Sequence, residues 1–292
     1  KVAEVEELKK VVAYGVERGV NFFDTSPFYG LLKSETVLGE CLKGIEREKI
    51  VVGTKIGRYG EKEFDFSAQR TRESVQRSLS LLQLDYIDIV QCHDIEFGDL
   101  TQVVNETLPE LQKLKEEGLI HHIGITGLPL PIFEFIIQNS SVTIDVILSY
   151  THYTLINTTL TSLTPLLKKN NIGVMNAAPL CMGILTNRGP PDWHPAPEEL
   201  KKAGAQAAIF CGEKGKDIAK LAVQFSLKFD DAHTTVVGMK SKEDLERNLE
   251  ALEEEMDEEL LQEVLKILAP VQDVSWDSGN FPWPNNKDGV IK

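Results

Sequence analysis

The sequence predicts an α/β fold, a closed parallel barrel in which each strand is followed by a helix. Three observations predict it. Short apolar strands alternate with helix-length segments along all 292 residues, the pattern of parallel strands joined by right-handed crossovers. The strands are apolar throughout rather than alternating, which suits a sheet covered on both faces. Polar residues stand at the C-terminal ends of successive strands, where a (β/α)8 TIM barrel assembles its active site. The competing open sheet that binds dinucleotides carries G-x-G-x-x-G after its first strand. This chain has none.

The elements follow in order. Val5, Leu8, Val11, Val12 and Val16 recur at near-helical spacing, and Gly19 stops that opening helix. A strand at 20–24 ends on Asp24, one at 50–55 ends on Lys55, and one at 86–92 leads into His93. Further strands are expected at 122–126, 144–150, 172–178 and 234–238. Helices fill the gaps at about 67–82, 102–117, 130–138, 159–169, 213–229 and 241–252. That makes seven strands where a barrel needs eight. The chain opens in what would be the first crossover helix, so the first strand is expected to be absent from it. Residues 1–292 then read as a single barrel domain with a C-terminal tail at 271–292. The tail carries Trp276, Phe281 and Trp283, and the sequence leaves open whether it covers the mouth or docks on a neighbour.

Composition narrows the partners. A net charge of −14 argues against nucleic acid and against a membrane surface. No run of 18 apolar residues offers a spanning helix, and no signal peptide is visible. Cys41, Cys92, Cys181 and Cys211 form no metal or redox spacing and read as free thiols in the cytoplasm. His121 and His122 are adjacent on a strand and face opposite ways, so no joint metal site is expected. The acidic run from Glu250 to Glu259 reads as the solvated face of a helix.

Four residues carry the chemistry. Asp24, Lys55 and His93 end successive strands, and Tyr29 lies in the loop after Asp24. Singly, each has an ordinary alternative: a helix cap, a solvated charge, a core histidine, a packed aromatic. Together they make a coherent proton-transfer site. A free tyrosine titrates near 10 and is a poor base at neutrality. A neighbouring ammonium favours the phenolate, and a buried ammonium needs a carboxylate. Lys55 is therefore expected to lower the Tyr29 pKa, Asp24 to hold Lys55 charged, and His93 to orient the reacting oxygen.

The segment Phe23-Asp24-Thr25-Ser26-Pro27-Phe28-Tyr29-Gly30, with Ser34-Glu35-Thr36-Val37-Leu38-Gly39 behind it, resembles a signature of the aldo-keto reductase family. Leu84-Asp85-Tyr86-Ile87-Asp88 leading to His93 resembles a second. The resemblance covers nearly the whole chain. It implies a TIM barrel that binds NAD(P)(H) without a Rossmann motif, and a catalytic tetrad of Asp24, Tyr29, Lys55 and His93. The segments at 91–98, 124–129 and 189–196 are similar to the plant branch of the family that oxidises L-galactose at C1 to the 1,4-lactone with NAD, in ascorbate biosynthesis.

The same resemblance implies the cofactor contacts. Thr126 would hold the nicotinamide amide, with Ser149 or Tyr150 on the next strand. Leu180 and Gly183 would run along the pyrophosphate, and Gly238, Lys240 and Ser241, with Asn248 on the following helix, would take the last phosphate. Ser241 also suits a helix N-cap, whose backbone N–H groups can bind an anion. Asp244 stands where users of NADP often place an arginine, and an acid near the ribose favours NAD. Lys240 pulls the other way and leaves NADP open. Trp193, in the Pro- and Gly-rich loop from Thr186 to about Leu200, is a candidate wall for a sugar or carbonyl substrate. A monomer is expected. Two competitors remain: an NADPH-dependent reductase of another aldehyde or ketone, suggested by Leu31-Leu32 after Gly30, and a cofactor-binding sensor or channel-associated subunit with little turnover.

Overall fold

The computed structural model describes residues 2–280. Seven strands lie in one sheet, hydrogen-bonded in chain order: β1 (Phe22–Asp24), β2 (Val51–Ile56), β3 (Ile87–Cys92), β4 (Ile120–Gly127), β5 (Val146–Tyr150), β6 (Gly173–Ala177) and β7 (Thr234–Val236). Each stands where its apolar run predicts, within two residues at either end. The chain divides into two compact units. Among the described residues the first comprises 2–127, 131–147 and 240–242; the second comprises 128–130, 148–239 and 243–280.

In the first unit β1 to β4 run parallel. Their register sets Asp24 beside Gly53, and Lys55 beside Gln91 and Gly124 in turn. Val52, Ile56, Ile87, Val90, Ile120 and Ile123 on the strands are buried with Val75, Leu82, Leu111 and Leu114 on the covering helices. Each such side chain contributes about 1.5–3 kcal/mol over exposure. Ser67 caps the helix Ala68–Leu82 by accepting the Arg70 N–H at 3.3 Å, and Gln83 ends it in the left-handed region at φ 58°.

The helix expected at 102–117 is not one regular helix. A short turn, Leu100–Gln102, runs into a π segment, Val103–Thr107, before the α-helix Leu108–Glu116 begins. Pro109 at its start lacks an N–H to close the normal ladder, and the Thr107 hydroxyl donates to the Phe66 carbonyl outside the helix. His121 stacks on Tyr86 with centroids 4.2 Å apart, and His122 lies 3.8 Å from the Asp145 carboxylate.

The second unit departs further from the sequence reading. The helix expected at 213–229 is present but shorter, Ile218–Leu227, and a further helix, Glu198–Glu213, precedes it in a stretch where none was expected. Gly215 (φ 68°) turns the chain between them, and Asp217 caps the second by accepting the Ala219 N–H at 3.0 Å. The acidic run at 250–259 is likewise not a single helical face. The helix Lys242–Glu253 ends, and Asp257 caps a new one, Glu258–Leu268, by accepting the Leu260 N–H at 3.0 Å. This last helix buries Leu260, Leu261, Val264 and Leu268 in one core with Ala203, Ala207 and Ala208. Trp276 belongs to the same core and meets His194 edge-on at 5.0 Å, so that part of the tail docks within this unit. Phe281 and Trp283 lie outside the described residues.

All four cysteines are free and buried. Cys92 sits beside His93, but burial pushes its thiol well above the usual range, so it is packing rather than a reactive thiolate. Among the described residues no helix is long and apolar enough to cross a membrane.

Candidate active site

The site grows from strand register. On parallel strands, residues in register point the same way, so Lys55 and Gln91 share one face of the sheet. Gly53, opposite Asp24, leaves room for a carboxylate: a Cβ there would lie 3.3 Å from Asp24 Oδ1. Asp24 can then turn both oxygens inward. Oδ2 accepts from the Lys55 ammonium, and Oδ1 accepts from Gln91 Nε2 at 2.9 Å. Lys55 is 1% exposed and also donates to the Thr25 carbonyl at 2.9 Å.

Tyr29 arrives from the loop after β1. The Thr25 N–H donates to the Gly53 carbonyl at 2.9 Å, and the Phe28 N–H donates to Ser26 Oγ at 3.1 Å. The Tyr29 N–H donates to the Ser26 carbonyl at 3.1 Å and begins a short helical turn, Tyr29–Leu32. Tyr29 as a whole residue is 38% exposed, with Lys55 Nζ 4.6 Å from the ring centre and the His93 ring edge-on at 5.6 Å. His93 is set by its own N–H, which donates to the Ile56 carbonyl at 2.8 Å and extends the strand pairing one residue past β3. The four residues that the sequence singles out are therefore brought together.

Their electrostatics differ from expectation at Tyr29. Burial disfavours the phenolate and raises the Tyr29 pKa; the Lys55 charge opposes this but does not reverse it, and Asp24 and Asp94 push the same way as burial. Lys55 lowers the phenol's pKa as expected, but burial outweighs it and the net shift is upward. At Lys55 the balance runs as expected: burial favours the neutral amine, but Asp24 and Tyr29 together outweigh it and keep the ammonium charged. Burial pushes the His93 imidazole down to about 3, Asp94 opposing and Lys55 and Arg58 adding, so the ring is neutral at working pH.

Several contributors escaped the sequence reading. Asp94, in the left-handed region at φ 48°, pairs with Arg58 and has Oδ2 3.6 Å from His93 Nε2. Arg58 lies over Phe28 at 4.3 Å, with Phe64 and Phe97 at 5.3 and 5.5 Å. Ser26 Oγ lies 3.2 Å from His93 Nδ1. Glu35, in the second half of the signature, accepts from the Thr54 hydroxyl at 2.6 Å behind Lys55. For Ser26, Arg58 and Asp94 the available signal was a polar residue two positions past a strand end, which is easily read as loop.

The expected cofactor contacts stand as follows. Thr126 is the last residue but one of β4; its hydroxyl accepts the Asp94 N–H at 3.1 Å. Ser149 is fully buried in β5, 3.5 Å from His152 Nδ1. Leu180 and Gly183 lie in the turn after β6, where Ala178, Cys181 and Met182 all take positive φ. Gly238 follows β7. Lys240 and Ser241 precede the helix Lys242–Glu253, on which Asp244 pairs with Arg247 and Asn248 lies one turn further. Trp193 is 70% exposed and stacks on His194 with centroids 6.3 Å apart.

Comparison with known proteins agrees with this geometry. The aldo/keto reductase family model matches residues 2–269. The chain is 52% identical over 268 residues to L-galactose dehydrogenase of Arabidopsis thaliana, covering 89% of this chain and 84% of that one. It is 32% identical over 259 residues to D-arabinose 1-dehydrogenase of Saccharomyces cerevisiae, covering 84% and 76%. An aldo-keto reductase from Bacillus halodurans, solved in its holo form, superposes with a TM-score of 0.73 at 25% identity, over 94% of this chain and 90% of that one. The chain belongs to the aldo/keto reductase family and has its (β/α)8 barrel fold.

Proposed function

We propose that this chain oxidises L-galactose at C1 to the 1,4-lactone with NAD, in the cytoplasm and in service of ascorbate synthesis. As an aldo/keto reductase it is an oxidoreductase that works with a nicotinamide cofactor. The observation that carries the reading is the buried Asp24–Lys55 pair set beside Tyr29 and a neutral His93. The sugar and the direction rest on the likeness to two sugar 1-dehydrogenases.

The residues present fit a nicotinamide cofactor. Asn176 Oδ1 in β6 is a buried acceptor with no partner among the described residues, a group that an amide N–H of a ligand would satisfy. The run of positive φ after β6 is strain of the kind that accumulates at ligand sites. Thr126 and Ser149 would hold the amide, Leu180 and Gly183 the pyrophosphate, and Gly238, Lys240, Ser241 and Asn248 the far phosphate and adenosine. Asp244, by its charge, would disfavour a 2′-phosphate. The cofactor supplies the acceptor for the hydride that leaves C1.

Tyr29 Oη takes the proton of the C1 hydroxyl, and Lys55 stabilises the phenolate that this requires. His93 donates a hydrogen bond to the same oxygen as C1 becomes a carbonyl. Asp24 prevents Lys55 from losing its proton in a buried site. Trp193 would serve as a substrate wall. One observation favours a second reading, reduction of a carbonyl with NADPH: burial keeps the Tyr29 phenol protonated, the form that donates to a carbonyl oxygen. Proton NMR of a reaction mixture separates the two. With L-galactose and NAD the lactone should accumulate. An inert sugar, with an alcohol formed from a simple aldehyde and NADPH, would replace the first reading by the second.

A further inference from the structure

A neutral imidazole has one N–H to give, and His93 has two neighbours for its two nitrogens. Nδ1 lies 3.2 Å from Ser26 Oγ, and Nε2 lies 3.6 Å from Asp94 Oδ2. Ser26 is fully buried, and its Oγ already accepts the Phe28 N–H at 3.1 Å. The Ser26 hydroxyl proton still needs an acceptor, and Nδ1 is the acceptor within its reach. The opposite arrangement is worse on both sides of the ring. If Nδ1–H donated to Ser26, the serine proton would be left unbonded in a dry site, at about 1–3 kcal/mol. The Nε2 lone pair would also face the Asp94 carboxylate.

We infer that Ser26 is a positioning residue that sets the tautomer of His93: its hydroxyl donates to Nδ1, which leaves the ring proton on Nε2. The hydrogen bond at one nitrogen decides which form the other takes. Burial holds the ring uncharged, so only one nitrogen can be a donor. Asp94 favours the same tautomer electrostatically, because it presents a negative oxygen to Nε2. Ser26 also accepts, through its carbonyl, the N–H of Tyr29. One residue thus ties the phenol-bearing loop to the imidazole. Its contribution to catalysis rests on the role proposed above for His93 as donor to the substrate oxygen; the tautomer itself does not.

The test is nitrogen-15 NMR of protein labelled at its six histidines, with His93 assigned by its loss in His93→Gln. The wild type should show a pyridine-like Nδ1 and a pyrrole-like Nε2. In Ser26→Ala the Nδ1 signal should move toward the pyrrole range, with kcat down about tenfold to a hundredfold and cofactor affinity unchanged. That range is the one met when partners that orient metal-bound imidazoles are removed. Ser26→Thr, which keeps the hydroxyl, should keep the wild-type shifts. A pyrrole-like Nδ1 in the wild type would overturn the inference, as would unchanged ring shifts in Ser26→Ala. The wild-type spectrum needs no substrate, so its outcome is independent of the proposed sugar oxidation.

Discussion

At Tyr29 two forces oppose each other, and their balance governs the pH dependence. Burial raises the phenol above its ordinary 10, and Lys55 pulls it back only in part. Oxidation needs the phenolate, so kcat/KM for the sugar should climb about tenfold per pH unit through neutrality. Reduction needs the phenol and should stay flat until the pH approaches that raised value. Stopped-flow rates against pH check both limbs; a flat oxidation profile would contradict the role given to Tyr29. His93, held near 3, should add no inflection between about 5 and 8, the range where an ordinary histidine titrates. Tyr29→Phe should abolish turnover while leaving cofactor affinity in place; retained turnover would remove Tyr29 from the mechanism. Lys55→Met should lower kcat by about 10²–10⁴ and shift the alkaline limb upward. The tetrad was legible because charged and aromatic side chains at successive strand ends are hard to explain as packing. Ser26, Asp94 and Arg58 were not, since a serine or an aspartate in a loop has many ordinary uses. The direction of the Tyr29 shift was also hidden, because desolvation depends on burial that a sequence does not display.

At the scale of elements, strands were read well and helix ends poorly. An apolar run of five or six residues marks a strand covered on both faces, whatever follows it. Helix breaks depended on local chemistry instead. Asp217 and Asp257 start new helices by capping, in stretches that read as continuous or simply acidic. Asp257→Ala should cost about 1 kcal/mol, measured by urea unfolding, through loss of the bond to the Leu260 N–H. An unchanged midpoint would mean that the cap is redundant. Gly39, in the signature Ser34–Gly39, lets the helix Ser34–Leu42 approach the helix Ala68–Leu82 closely. A Cβ there would lie 2.9 Å from Leu82 Cα, and backbone cannot swing aside. Gly39→Ala should therefore destabilise by about 1–3 kcal/mol. Its measured effect distinguishes a packing role for this half of the signature from a purely catalytic one.

For the molecule as a whole, buried neutral histidines link stability to pH. Burial pushes His93 to about 3 and His152 to about 4, both below the unfolded value of 6.5. The unfolded chain therefore binds protons first as the pH falls. Stability from this source is complete above about 6.5 and is lost toward 4 and then 3, at roughly 1.4 kcal/mol per unit for each ring. Urea midpoints at about pH 7.5 and pH 5 should differ in that direction. Charge of −14 and the alternating strands bounded the class, but substrate choice lies in loops such as the one carrying Trp193, whose geometry has no periodic signature. Sugar oxidation with NAD is probed by following reduced nicotinamide in the near ultraviolet, with purified protein and L-galactose, in parallel tubes of NAD and NADP. Prompt formation of NADH, and little NADPH, is the predicted result. No signal from L-galactose with either cofactor, while NADPH is consumed with simple aldehydes or ketones, would contradict the sugar oxidation and leave a carbonyl reductase.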